Sequence, residues 1–453
     1  MKRMFSAIVS KTQNPRHKTQ DRIHASYVLC LGSCVLGLLL LSQFIVNADL
    51  FQYVAKEDAS FKWEKVSQEP LPNDALKIEL KLTSQTWQEI VLEHRLRLIK
   101  PRDVKNPTLV SLLITGSGSG REELIYGSMV ASSIGSPLAI LHDVPYQPLF
   151  GGLKEDDLIA YTFAKTLETG DEEWPLLFPM TKTAVRAMDA IQEFCKQELG
   201  VEVKGFVVAG GSKRGWTTWF TAAVDKRVKG IIPAVYDNLD LPRQMEHQLE
   251  AWGDYSEQIS EYTNRNIPQR LEEEEVRKLS TLVDPYTYRE RITVPKLIVI
   301  GTNDDYWPLD ALNLYYDDLV GEKYILYVPN KDHGVEDATR IIGDWVAFFR
   351  KIDGEIEFPK LSWNYEEKEE GVELSVVSDL KPVSVSAWTT ESPTRDFRDA
   401  VWQESEMTLK DSAYRYILKK PEQGYAAIFG EAIYKSGGRE FFLSTNVYIL
   451  KAR

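Results

Sequence analysis

A serine on a glycine-rich turn carries the clearest sign of chemistry in this chain. An apolar strand ending at Ala209 runs into Gly210 and Gly211, Ser212 follows, and a helix is predicted to begin around Arg214. On such a sharp strand-to-helix turn, a serine projects its hydroxyl above the sheet edge, with the helix N-terminus beneath it. Because a hydroxyl is a weak nucleophile at neutral pH, it needs a neighbouring base. The turn therefore predicts a nucleophilic serine whose partners lie elsewhere in the chain.

Two later loops supply those partners. Asp304 and Asp305 follow the apolar strand Lys296–Gly301, and His333 follows a second predicted strand at residues 324–328. Active sites of parallel sheets lie at the carboxyl ends of their strands, so these side chains are predicted to converge. Serine, aspartate and histidine occur here in the chain order of α/β-hydrolases. The pattern predicts a catalytic triad with no metal and no organic cofactor, and it leaves the choice between the two aspartates open.

The serine turn departs from the usual elbow. In G-x-S-x-G a small residue stands two places after the serine, whereas this chain has Arg214 there and Gly215 one place later. A Gly-Gly-Ser turn is also compatible with a phosphate-binding loop or a plain tight turn. However, no complete P-loop or dinucleotide fingerprint lies between this strand and its helix. A nucleophilic serine is therefore preferred to a phosphate site.

A second glycine-rich loop predicts donors for an oxyanion. Residues 116–120 follow the predicted buried strand at 109–115, and the early loop of a hydrolase sheet supplies one backbone N–H to the oxyanion hole. We expect Gly116 and Ser117 to provide that donor and the backbone N–H of Lys213 to provide the second. A flexible turn is the alternative interpretation of the glycines.

Strands and helices alternate around these motifs, which predicts an α/β fold with a mainly parallel sheet over residues 49–352. Residues 236–291 interrupt it with a helix-rich, aromatic segment that we interpret as a lid insert over the serine. From residue 355 to 453 the pattern changes to period-two alternation with intervening turns, which predicts an all-β, sandwich-like domain.

Composition excludes one large class of function. The chain has 453 residues, a formal net charge of -13, and 27% charged residues. Nucleic-acid binding needs clustered lysine and arginine on one face, so this acidic balance argues against a nucleic-acid partner.

The N-terminus predicts export. A basic tail at residues 1–26 precedes an apolar segment at residues 27–48, in which residues 27–46 carry no charge and are long enough to cross a bilayer. The basic tail should stay cytoplasmic and the catalytic part should lie outside. Small residues up to Ala48 would also suit signal-peptide cleavage, so a single-pass membrane anchor and a periplasmic or secreted form both stay open.

Several motifs resemble those of the PhoPQ-activated pathogenicity-related protein family, from Leu50 to the C-terminus. They lie at residues 174–176, 184–189, 210–216, 244–250, 284–286, 301–304 and 306–307. The resemblance implies an α/β-hydrolase fold with Ser212 as nucleophile and His333 as base. It implies Asp304 as the acid, because the family usually has proline where Asp305 stands. The Ser212-Lys213 pair is also similar to the elbow of glucuronoyl esterases, which implies that Lys213 helps to stabilise the oxyanion.

Together these patterns predict an exported or membrane-tethered serine hydrolase that acts on a small-molecule or polymer ester. Two alternatives stay open. One is a non-catalytic surface or interaction protein on the same scaffold. It is suggested by Arg214, which stands where the usual elbow has a small residue. The other is a carbohydrate-directed esterase of the uronate type, with aromatic residues stacking on sugars.

Overall fold

The computed structural model describes residues 49–452. The basic tail and the apolar segment predicted at residues 1–48 lie outside the described residues. Within residues 49–452, no helix combines the length and the apolar character that crossing a bilayer requires. Export and membrane anchoring therefore stay predictions.

A mixed sheet with a parallel centre forms the first part of the fold. Its strands are β1 (Lys62–Pro70), β2 (Leu76–Trp87), β3 (Ile90–Lys100), β4 (Leu109–Ile114), β5 (Leu138–Leu141), β6 (Gly205–Gly211), β7 (Val228–Ala234), β8 (Lys296–Gly301) and β9 (Lys323–Val328). Their order in space is β1-β2-β3-β5-β4-β6-β7-β8-β9. Pairing is antiparallel from β1 to β5 and parallel from β5 to β9. The central strands are apolar and buried along nearly their whole length, as strands covered on both faces must be.

Helices alternate with the strands along most of this part of the chain. They are α1 (Asp49–Ala55), α2 (Arg121–Ile134), α3 (Glu155–Thr169), α4 (Leu177–Phe194), α5 (Lys213–Val224), α6 (Leu241–Trp252), α7 (Ser260–Thr263), α8 (Glu274–Val283) and α9 (Ala338–Ile352). Helix α2 packs against α9, and α4 packs against α5. Val207 and Ala209 of β6 share one apolar cluster with Val346 and Phe348 of α9. Because side chains alternate along a strand, Val208 faces the opposite side of the sheet.

The start of α9 shows how the local sequence sets a helix end close to the loop that carries His333. The side chain of Asp337 accepts hydrogen bonds from the backbone N–H groups of Thr339 and Arg340, at 3.1 Å each. This cap satisfies donors that the first turn cannot pair within the helix. It fixes the point where the loop that carries His333 becomes helical.

The segment between β7 and β8 is helical, as predicted for the lid insert. It contains α6, α7 and α8 with short 3-10 turns between them. Asp284, which is 4% exposed, joins two parts of it by accepting from Leu241 N at 2.7 Å and Tyr286 N at 2.9 Å. Burial raises the pKa of Asp284 to about 7, although these backbone donors favour its charged form.

The C-terminal region is all β, as predicted, and consists of two sheets. Its strands are β10 (Leu361–Lys368), β11 (Gly371–Ser378), β12 (Ser384–Ser392), β13 (Gln403–Glu406), β14 (Thr408–Lys410), β15 (Ala413–Lys419), β16 (Tyr425–Ser436), β17 (Arg439–Ser444) and β18 (Tyr448–Lys451). Strands β10-β11-β15-β14 form one sheet. Strands β17-β16-β12-β13 form the other and continue the central sheet through the pairing of Ser444 with Ile325 of β9.

Apolar side chains fill the space between these two C-terminal sheets. Leu374 and Val376 of β11 belong to the same buried cluster as Ala426 and Ile428 of β16, as in a β-sandwich. Residues from Tyr53 onward form one compact unit. The change of architecture near residue 355 therefore lies within a continuous structure, and the division into domains stays a prediction.

Candidate active site

Ser212 occupies a strained turn between β6 and α5. Its backbone has φ 55° and ψ −128°, a conformation that a residue with a side chain seldom adopts. The N–H of Ser212 donates to the carbonyl of Ala234 at 2.8 Å, which ties the turn to the end of β7. This is the backbone arrangement of a nucleophile elbow, with a serine held at a sharp strand-to-helix turn.

Two glycines allow the close packing of this turn. A Cβ atom at Gly210 would lie 2.5 Å from the carbonyl oxygen of Arg214, and one at Gly215 would lie 2.9 Å from the carbonyl oxygen of Ala234. Both distances are too short for a side chain. Gly215 therefore meets the packing need that the usual elbow meets one residue earlier, and the side chain of Arg214 bonds the carboxylate of Glu155 and the carbonyl of Val144.

His333 is held by Asp304. Its Nδ1 lies 2.9 Å from Oδ2 and 3.1 Å from Oδ1 of Asp304, and Oδ1 also accepts from the N–H of Tyr306 at 2.8 Å. Asp304 is 5% exposed, and its burial raises the pKa of the carboxyl although the bond and the charge of His333 act in the opposite direction. Because the carboxylate accepts from Nδ1–H, the Nε2 atom of the neutral imidazole is left as an acceptor.

The acceptor atom of His333 is free. Nε2 is buried and has no hydrogen-bond partner among residues 49–452, so no hydrogen bond joins it to Ser212 Oγ. Tyr306 stacks on the imidazole with ring centroids 4.0 Å apart, and it lines the same cavity as Ser212. Catalytic hydrogen bonds are often long before substrate binds, so the arrangement is compatible with a triad.

Asp305 has a different environment. Its backbone carbonyl accepts from Ser256 Oγ at 2.6 Å, which attaches the lid insert to the loop after β8. The ligand atoms of Asp304, Asp305 and His333 lie within 4.8 Å of one another, a spacing that a metal ion also uses. The hydrogen bond between His333 and Asp304 accounts for two members of this cluster. Of the two aspartates, the structure pairs Asp304 with the histidine.

Charged side chains beside the elbow neutralise one another. Arg214 binds both carboxylate oxygens of Glu155 at 2.8 Å, and Lys213 Nζ lies 2.8 Å from Asp156 and 3.1 Å from Glu155. Burial favours the neutral form of Glu155, but the bonds from Arg214 and the charges of Arg214 and Lys213 outweigh it and lower the pKa of Glu155 to about 2. The elbow therefore carries two cations and two carboxylates in contact.

The predicted oxyanion donors differ in position. Lys213 is the first residue of α5, so its N–H has no acceptor within the helix, and Lys213 lines the cavity next to Ser212. Gly116 packs directly on the guanidinium of Arg214, and Ser117 Oγ accepts from Gln147 Nε2 at 3.4 Å. Neither is among the described residues that line the cavity. The oxyanion roles of all three stay predictions.

Sequence reasoning missed the acidic partners of the elbow. Glu155 and Asp156 open helix α3, where acidic residues are expected simply because they suit the helix macrodipole. Three consecutive acids at residues 155–157 were the available signal. Only the tertiary contact with Lys213 and Arg214 distinguishes two of them from an ordinary helix start.

The sheet order, the strained serine after β6 and the histidine–aspartate pair at the same edge define an α/β-hydrolase fold, which confirms the predicted fold class. A profile of the family described as PhoPQ-activated pathogenicity-related protein matches residues 50–398. Autocrine proliferation repressor protein A of Dictyostelium discoideum is 32% identical over 447 residues, with 88% of each chain covered. The chain belongs to the PhoPQ-activated pathogenicity-related protein family, as the sequence motifs predicted.

Two solved structures are also similar to parts of the chain. Acetyl xylan esterase from Paenibacillus sp. R4 is 18% identical with a TM-score of 0.47, covering 67% of this chain and 92% of its own. Glucuronoyl esterase from Solibacter usitatus is 12% identical with a TM-score of 0.41, covering 68% and 91%.

Proposed function

We propose that this protein is a serine hydrolase that cleaves ester bonds, with Ser212 as nucleophile, His333 as general base and Asp304 as the acid that orients the imidazole. One observation carries the proposal. A buried carboxylate holds Nδ1 of His333, while Nε2 is left without a partner in the described part of the chain, at the sheet edge where Ser212 is strained. An unpaired buried acceptor costs stability, which makes it a sign of function.

In the proposed reaction, Nε2 of His333 takes the proton of Ser212 as Oγ attacks the ester carbonyl carbon. The carbonyl π bond opens to an oxyanion, to which the N–H of Lys213 at the start of α5 donates a hydrogen bond in this proposal. The C–O bond to the alcohol then breaks, and His333 protonates the leaving oxygen. Water attacks the acyl-enzyme by the same route, which releases the acid and restores Ser212.

The donor proposed here is the backbone of Lys213 and not its side chain. The ammonium contacts Asp156 and Glu155, so it would have to leave two carboxylates to reach an oxyanion. Leaving them would separate the buried ammonium of Lys213 from its partners, which is costly. Export or membrane tethering through residues 27–46 is part of the same proposal. Fractionation of cells that produce the full chain tests it, because the fraction that contains the protein shows whether it is exported or tethered.

Labelling with a fluorophosphonate probe tests the triad. The wild type should be labelled, whereas Ser212→Ala and His333→Asn should lose labelling, because one lacks the nucleophile and the other lacks the base. The matched control is His247→Asn, since His247 Nε2 also bonds a carboxylate, Asp310, at 2.7 Å but does not line the Ser212 cavity. This variant should keep its labelling. Labelling that persists in folded Ser212→Ala would overturn the assignment.

A second candidate function is that of an exported protein that acts by binding and not by catalysis. The relative from Dictyostelium discoideum favours it, because its name describes an effect on proliferation and not a reaction. The same experiment separates the two functions. Folded wild-type protein that the probe never labels, and that hydrolyses no ester, would support binding alone.

A further inference from the structure

The cavity that contains Ser212 is mostly apolar. Its volume is about 80 Å³. The lid insert contributes Met245 and Ile259, and α3 and α5 contribute Phe163 and Trp216. Trp307, from the loop after β8, completes this wall. The surface beside the serine is therefore suited to a hydrocarbon group.

The charged groups of the cavity are already paired with each other. Asp156 accepts from the hydroxyl of Tyr262 at 3.1 Å and contacts Lys213 Nζ at 2.8 Å. Trp216 Nε1 donates to the carbonyl of Val283 at 2.6 Å. Among the described residues that line the cavity, Lys213 is the only cation, and it is already paired with Asp156 and Glu155, so a carboxylate on the substrate would meet no free cation there.

Three polar atoms in the wall are unpartnered in the part of the chain that the structure describes. They are Oδ1 of Asn238, Nε1 of Trp307 and the hydroxyl of Tyr236, and all three residues are buried. They offer one acceptor, one donor and one hydroxyl that can act as either. A sugar ring, with several hydroxyl groups, would lose more hydrogen bonds to water than these three atoms can replace.

The position of His333 identifies which half of the ester enters the cavity. In the proposed reaction His333 protonates the leaving oxygen, so the alcohol must lie beside the imidazole. Ser212 and Lys213 line the cavity, whereas His333 is not among the described residues that do so. The group that extends into the cavity is then the acyl group.

We propose that the cavity is an acyl pocket that selects uncharged apolar acyl groups, of the hexanoyl or phenylacetyl kind, over acetyl and uronoyl groups. This inference rests on the proposed function and names the substrate class of the same site. It makes Met245 and Trp307 specificity-determining residues, because they form the wall that the acyl chain contacts.

Ester pairs with a common leaving group test the proposal. The kcat/KM of the wild type should be at least about tenfold higher for 4-nitrophenyl hexanoate than for the acetate, because each buried methylene adds binding in the transition state. It should likewise be higher for benzyl hexanoate than for benzyl glucuronate. Equal or reversed preferences in an enzyme that Ser212→Ala inactivates would overturn the acyl pocket and leave the hydrolase intact.

Variants of helix α6 test which residues set the preference for hexanoate over acetate. Met245→Trp should fill the pocket, and the ratio of kcat/KM for the hexanoate to kcat/KM for the acetate should fall by about tenfold or more. Its control is Leu249→Trp on the same helix, where Leu249 is 42% exposed and does not line the cavity, so the ratio should not change. A ratio that is unchanged in folded Met245→Trp would overturn the assignment. If Met245→Trp does not fold, Met245→Ala should shift the preference towards longer chains, and an unchanged preference would count equally against the proposal.

Calorimetry separates this proposal from the proposed function. If the wild type hydrolyses no ester, the proposed hydrolase function is wrong. Titration of hexanamide into Ser212→Ala then tests independently whether the cavity binds apolar acyl groups. Binding of hexanamide that is stronger than binding of acetamide and that Met245→Trp weakens would support the pocket. Equal binding of the two amides, or no binding, would overturn it.

Discussion

At the scale of single residues, Asp237 is a buried carboxyl group at the carboxyl ends of the parallel strands. It follows β7, is 1% exposed, and its Oδ1 accepts from the hydroxyl of Tyr315 at 2.7 Å. Burial raises the pKa of Asp237 from 3.8 to about 8, and the nearby carboxylates of Asp304 and Asp310 add to this effect. The folded protein therefore holds a proton here that the unfolded chain releases near its usual pKa.

This buried carboxyl predicts a pH dependence of stability. Because its pKa is higher when folded, its contribution is fully present below about pH 4 and is lost as the pH rises through about 8. Asp237→Asn keeps an acceptor for Tyr315 but has no charge to bury. The melting temperature of the variant relative to the wild type should increase from pH 5 to pH 9. A difference that stays constant over this range would contradict the buried proton.

At the scale of elements, the serine turn depends on how closely α5 approaches β6. A Cβ at Gly210 would lie 2.5 Å from Arg214 O, whereas one at Gly211 would find its nearest neighbour, Val235 Cγ2, at 3.9 Å. Gly210→Ala should therefore lower the free energy of unfolding by about 1–3 kcal/mol, the usual cost of overpacking. Gly211→Ala is the matched control and should cost clearly less. Denaturant unfolding of both variants measures this, and equal losses would show that the helix does not limit the turn.

At the scale of the whole molecule, one buried ion pair joins the α/β part to the C-terminal sheets. Arg340 of α9 bonds Glu431 of β16 at 2.9 Å and 3.2 Å, and the side chain of Glu431 is 0% exposed. Arg340→Met would leave that carboxylate buried without its cation, so we expect a loss of about 3–5 kcal/mol of unfolding free energy. Because the C-terminal strands continue the central sheet, the loss should appear in a single unfolding transition.

A more exposed pair provides the comparison for Arg340. Arg415 lies 2.7 Å from Glu373, with side chains 34% and 19% exposed. Arg415→Met should cost only about 0–1 kcal/mol, the usual value of a surface ion pair. Calorimetry of both variants checks the ranking. Two separate transitions in the wild type would show instead that the C-terminal sheets unfold independently.

The sequence alone determined which residues follow which strands. Strands such as Lys296–Gly301 are continuous apolar runs, and a buried strand has this local signature whatever surrounds it. Ser212, Asp304 and His333 could therefore be assigned to the same edge of a parallel sheet before any contact was known. Strand β10 has a weaker local signature, because its sequence is largely polar and only Leu361, Trp363 and Tyr365 alternate with polar residues along it.

Tertiary structure decided what the local pattern leaves open. Gly215 meets the packing requirement that the usual motif meets with a small residue at position 214. Arg214 binds Glu155, which lies 59 residues away in the chain, and β17 joins β9 through Ser444. The orientation of His333 towards Asp304 and not Asp305 also depends on how two loops from different strands meet. Such contacts depend on the distance between segments far apart in the chain, and burial assigns each polar group its partner only after the chain has folded.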